Sequence, residues 1–123
     1  KPITVSAPCV TSDYFPTILS SLGIALPDDR VYDGLSMWPF IEGRLTKRAK
    51  PIGFLNKDAK ESVWMEERYK LISTPEGYRL FDILNDSGEQ KDLSKELPER
   101  VEAMKVELGQ WKDSVLAELK AVQ

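Results

Sequence analysis

The chain has 123 residues, 41% of them hydrophobic and 30% charged, with a formal net charge of −3. That length suits one ordinary domain or a large piece of one. The composition is that of a soluble globular protein, and the acidic balance argues against general nucleic-acid binding, which favours basic surfaces.

No apolar run approaches the roughly 20 residues needed to span a bilayer. The sequence opens at Lys1, without methionine and without a secretory leader. Residues upstream are therefore expected, and the compartment is not legible from this end. Cys9 is the single cysteine and there is no histidine. An internal disulfide is excluded, and Cys9 is expected as a small apolar filler. Without histidine there is no Ser–His or Cys–His pair and the commonest transition-metal ligand is missing. A site made of carboxylates alone stays open.

In chain order, residues 1–10 read as extended, because Ile3 and Val5 alternate with Thr4 and Ser6 while Pro2 and Pro8 oppose a helix. A short helix is predicted over residues 14–22. Ser12 or Asp13 can cap it, Pro16 is tolerable in its first turn, and Gly23 suits the left-handed residue that ends it. Phe15, Ile18, Leu19 and Leu22 give it a wholly apolar face. Asp13 is expected as the cap rather than as a catalytic acid.

Residues 24–30 form a loop, and Asp33-Gly34 marks a turn. Ser36 has no base and no nucleophile elbow, so its hydroxyl is expected to brace that turn. Arg44, Lys47, Arg48 and Lys50 could serve sulfate or phosphate, but a solvated loop is the expectation.

From Pro51 the pattern turns to strands. Residues 52–55, 62–66, 69–73 and 78–84 are four apolar or aromatic-rich runs, the second and third close enough for a hairpin. Thr74-Pro75-Glu76-Gly77 has the residue order of a type I turn. Trp64 and Tyr69 are expected in the core rather than as a ligand platform. Asn85-Asp86-Ser87-Gly88 breaks the last strand, and Glu89 and Asp92 are expected to brace the following turn by accepting backbone N–H bonds. Pro98 opens a long helix. Its stripe of Val101, Met104, Leu108, Trp111, Val115 and Leu119 covers about five turns, and packing on the sheet is expected in preference to a coiled coil.

Several stretches together carry a resemblance. They are Asp13, Pro16, Thr17, Ile18, Leu19 and Gly23; Asp33-Gly34-Leu35-Ser36 with Trp38-Pro39-Phe40-Ile41-Glu42-Gly43; Arg68-Tyr69-Lys70-Leu71-Ile72; and Leu80-Phe81-Asp82-Ile83 followed by Asp86, Glu89 and Leu93. In this order the chain resembles the C-terminal part of type I, arylsulfatase-like, formylglycine-dependent sulfatases of the alkaline-phosphatase-like superfamily. The likeness runs from about Val5 to Trp111. Ser87 stands where the family has proline, Asp92 where it has asparagine, and the gap after Arg68 is shorter.

The resemblance implies an α+β fold in two parts. Residues 1–50 are the tail of an upstream catalytic domain: an extended segment, a short helix and a loop. Residues 51–123 are the C-terminal subdomain, a four-stranded antiparallel sheet packed against a long C-terminal helix. The family makes formylglycine from Cys/Ser-x-Pro-x-Arg and holds calcium with Asp and Asn. Ser6-Ala7-Pro8-Cys9-Val10 has valine where the arginine is required, and Asn85-Asp86 lies in the wrong element.

No catalytic, cofactor-binding or metal residue is therefore carried over. Calcium and formylglycine are expected in the catalytic domain. The implied parent is a sulfuric ester hydrolase, and this segment, inactive alone, is expected to brace the catalytic domain and frame part of the substrate entrance. The alternatives are a non-enzymatic interaction module docking through the Phe15–Leu22 helix, or the same portion of a related phosphodiesterase or phosphonate hydrolase. The expected partners are the upstream domain and a second copy of the isolated segment, with no nucleic acid and no membrane. A periplasmic or secreted parent is compatible with the family, and its substrate stays open among sulfated sugars, aryl esters and choline-like esters.

Overall fold

The computed structural model describes residues 2–121 and divides into two compact units, residues 1–50 and residues 51–123.

In the first unit a single 3-10 turn, Thr11–Asp13, leads into helix α1, Tyr14–Ser21. Gly23 ends it at φ +68°, the left-handed conformation expected there. A second short helix, α2, spans Trp38–Ile41 with Pro39 in its first turn. It has no forerunner in the periodicity, because four residues carry too little pattern to announce a helix. The Thr17 hydroxyl ties the unit together. It donates to the Asp13 carbonyl at 2.6 Å and accepts the Met37 N–H at 2.9 Å. Gly34 fits against the chain only because it lacks a side chain, since a Cβ there would stand 1.9 Å from the Ser12 carbonyl oxygen.

The second unit is the expected α+β layer pair. Strands β1 (Ile52–Leu55), β2 (Ser62–Met65), β3 (Tyr69–Thr74) and β4 (Gly77–Asp82) pair antiparallel in sequence order. Short connections favour this meander, because antiparallel neighbours need only a tight turn. Alternation then divides the side chains. Trp64, Leu71 and Leu80 lie in register on one face and form the core with Val101, Met104 and Leu108 of helix α3, Pro98–Ala121. Each large side chain buried there contributes about 1.5–3 kcal/mol.

Helix α3 departs from its sequence stripe at the far end. Trp111 still packs at the core edge, its ring 5.9 Å from that of Trp64, but Leu119 is 55% exposed. Four-residue strands are too narrow a platform for five turns. Gly53 lets the Trp111 indole lie directly on β1, where a Cβ would approach the ring to 2.5 Å. Leu93 and Asp92 then close the free edge of β4. The Leu93 N–H donates to the Leu80 carbonyl at 2.7 Å, and the Leu80 N–H donates to Asp92 Oδ1 at 3.1 Å.

Candidate functional site

The most enclosed polar constellation is the Asp13–Arg48 pair in the first unit. Asp13 ends the 3-10 turn and is fully buried, and Arg48 is 6% exposed. The guanidinium forks onto the carboxylate at 2.8 and 3.1 Å. The same carboxylate accepts the Val10 and Leu35 N–H groups at 2.9 Å each, and Arg48 Nε donates to the Lys50 carbonyl at 2.7 Å. Burial pushes the Asp13 carboxyl up, but the arginine and the two N–H donors outweigh it, so the group lies below its ordinary value.

This corrects two expectations. Asp13 does not cap α1 with its side chain; it binds a guanidinium, the Val10 N–H at the start of its own 3-10 turn and the Leu35 N–H of one distant loop. Arg48 is not a solvated loop residue. The basic run dissolves further, since Arg44 pairs with Glu42 at 2.7 Å and the Lys50 ammonium donates to the Tyr32 carbonyl. Three of the four cations, Arg44, Arg48 and Lys50, thus engage partners within the chain. Every lone pair that Asp13 directs inward is taken by a donor, which leaves it no proton to exchange with a substrate.

In the second unit the polar centre is Asp82, at the end of β4. It accepts two bonds from Arg68, at 2.9 and 2.8 Å, and one from the Asn85 amide at 2.9 Å. Arg68 first, then Asn85, hold its carboxyl down to about 2. Tyr69 lies between two guanidinium groups, those of Arg68 and Arg100, each 5.1 Å from its ring centre. Trp64 is buried and donates its indole N–H to Glu107 at 3.1 Å. Neither aromatic offers a free platform.

The acids after β4 do the bracing expected of them, with one exception. Asp92 accepts the Leu80 and Ser94 N–H groups and Asp86 accepts that of Lys91. Glu89 instead pairs with the Lys70 ammonium at 2.6 Å. It is also Glu89, at φ +53°, and not Gly88 that turns left-handed. Ser36 behaves as a turn hydroxyl, accepting the Trp38 N–H at 3.2 Å, while Ser6 and Cys9 are exposed. Exposure of Cys9 departs from the apolar filler expected of it.

The donor set does not fit a metal. Among the described residues no three His, Cys, Asp or Glu side chains converge. The buried carboxylates are saturated by arginine and N–H groups.

No family model and no curated protein matches the sequence. Solved structures do match. The structure of i-CgsB in complex with k-i-k-neocarrahexaose superposes with a TM-score of 0.70 at 27% identity, over 80% of this chain and 23% of that one. BT1596, a 2-O GAG sulfatase, gives 0.65 at 21%, over 90% and 26%. A Bacteroides thetaiotaomicron structure from a glycosaminoglycan-metabolism locus, BT33336S-sulf, gives 0.62 at 20%, over 84% and 24%. The chain thus spans about a quarter of the length of the structures it matches.

Proposed function

We propose, this chain being a C-terminal segment of the sulfatase fold, that its parent hydrolyses sulfate esters and that the segment itself performs no chemistry but braces the catalytic part. The observation that carries the proposal is the combination of a fold match over four-fifths of the chain with a residue set that lacks histidine and commits its buried carboxylates to structure.

Sulfate ester hydrolysis needs a nucleophile, charge stabilisation on the sulfuryl oxygens and a proton for the leaving oxygen. On this reading the larger part of the parent supplies all three, together with calcium and formylglycine. Neither group fits the residues described here, and no step is assigned to them.

The bracing role is supported by the surface of α1. Tyr14, Phe15, Ile18 and Leu22 are large apolar residues and all are exposed. An apolar face of that size belongs against another surface, and in the parent that surface is the catalytic part. A second copy of this chain can cover the same face when the catalytic part is absent. The neocarrahexaose bound to i-CgsB, and the similarity to a 2-O GAG sulfatase, favour a sulfated saccharide as the parent's substrate over aryl or choline-like esters.

The test is sulfate release. The protein at its full encoded length should free sulfate from 4-nitrocatechol sulfate or a sulfated oligosaccharide, and the 123-residue chain should free none. Turnover by the 123-residue chain alone would overturn the structural role. Hydrolysis of bis(4-nitrophenyl) phosphate to 4-nitrophenol and 4-nitrophenyl phosphate, with no sulfate release from the sulfate esters, would move the parent to the phosphodiesterase branch.

A further inference from the structure

The face of the sheet turned away from α3 carries a row of side chains distinct from the core. Alternation places Phe54, Val63, Ile72 and Arg79 in one cross-strand row there, one residue from each strand in register. This row floors a hollow of about 360 Å³, within the roughly 300–1,000 Å³ of small-ligand sites. Phe54 is 44% exposed on the edge strand β1, and Arg79 is exposed on the opposite edge strand β4. Three strand spacings separate them, about 14 Å. Among the described residues Arg79 makes no ion pair.

Asn56 and Glu61 line the rim beside the aromatic end. The Asn56 side-chain oxygen Oδ1 accepts the Lys60 and Glu61 N–H groups at 3.0 and 3.1 Å, which fixes the side chain and leaves its NH2 to donate. The row therefore presents an open phenyl ring, an aliphatic floor, a planar amide, a carboxylate and an unpaired guanidinium on one concave surface.

We propose that this hollow binds a stretch of anionic polysaccharide, a pyranose ring lying on Phe54 and a sulfate or carboxylate group on a neighbouring ring held by Arg79. Each part of the site answers one part of that ligand. An aromatic face takes the C–H side of a pyranose. Planar amide and carboxylate groups suit its hydroxyls. A guanidinium grips a sulfate or carboxylate through a two-pronged, charge-assisted pair. A protein partner would want a drier surface, because the aliphatic lining of Leu55, Val63 and Ile72 is ringed by Asn56, Glu61, Ser62, Thr74 and Arg79.

The site deepens the sulfatase reading and rests on it for its link to turnover: the parent would hold its polymer at a second point while the ester is cut elsewhere. Binding itself can be read without turnover. The full-length protein is run through native gels containing κ-carrageenan, polygalacturonate or neutral agarose alone. Retardation by κ-carrageenan or polygalacturonate, and not by agarose, is expected. Retardation by κ-carrageenan only assigns the anion as sulfate; by both, as either group.

Arg79→Ala and Phe54→Ala should each weaken retardation about tenfold, the loss of one charge-assisted or stacking contact. Lys95→Ala, an exposed cation elsewhere on the unit, should change nothing. Both test residues are exposed, so neither substitution empties the core. Unretarded wild-type protein, or Arg79→Ala and Phe54→Ala migrating as wild type, would overturn the site. Loss of sulfate release with retardation intact would overturn the sulfatase reading alone.

Discussion

At the scale of single residues, the Asp13–Arg48 pair has the clearest energetic consequence. Its attraction is offset by the cost of taking both charges out of water, so the intact pair adds little net stability. Removing one partner is different, because the other is left buried and uncompensated. Arg48→Met should cost about 3–5 kcal/mol, read as a fall in the denaturation midpoint of the first unit. A double replacement, Asp13→Leu with Arg48→Met, should recover part of that loss.

Asp82 gives a prediction in pH. Its folded carboxyl titrates near 2 against an ordinary 3.8. A depressed carboxylate contributes stability that is fully present above the unfolded value and lost as pH falls through the folded one. Its contribution should therefore disappear between about pH 4 and pH 2. Carboxyl carbon shifts followed by NMR should place the Asp82 midpoint well below its neighbours, and Arg68→Ala should move it back up. Glu66 has the opposite sign. Burial first, and Glu107 with it, raise its carboxyl against the pull of Arg100, so it opposes folding increasingly as pH rises through and above its ordinary value.

At the scale of elements, the sheet and the long helix were legible because each has a period. Four runs with aromatic and branched residues, separated by turn signals, give the meander. Pro98 and the stripe from Val101 give α3. What periodicity does not contain is where a platform ends, and so the stripe runs on to Leu119 although the four-residue strands β1 and β2 stop supporting it. Leu108→Glu should unfold the second unit, since that side chain is 3% exposed in the core. Leu119→Glu should stay within about 0.5 kcal/mol of wild type; thermal melts of the two variants separate them.

Gly53 was invisible for a related reason. Its need for a bare backbone comes from Trp111, which is distant in sequence and close in space. Gly53→Val should destabilise the unit by about 1–3 kcal/mol through overpacking. Trp111→Leu in the same chain should reduce that cost. The Asp13–Arg48 pair escaped in the same way: each residue has an ordinary local reading, cap for one and loop cation for the other, and only their meeting reveals the bolt.

At the scale of the whole molecule, the superposition on solved sulfatase structures covers four-fifths of the chain. The stretches that carry the resemblance to sulfatases fall on the parts that build the fold: the Asp13 bolt, Gly34 pressed on Ser12, and the β4 strand closed by Leu93. The apolar face of α1 is the surface this account leaves uncovered. The isolated 123-residue chain should self-associate through it, and Ile18→Glu should return it to a monomer, both by sedimentation at high concentration.

The most direct test of the sulfatase assignment is the coding sequence upstream of Lys1. Cys or Ser in a Cys/Ser-x-Pro-x-Arg motif, with acidic metal ligands nearby, is expected in the same reading frame. A frame that opens immediately before Lys1, or one that carries a catalytic threonine in place of that motif, would contradict it.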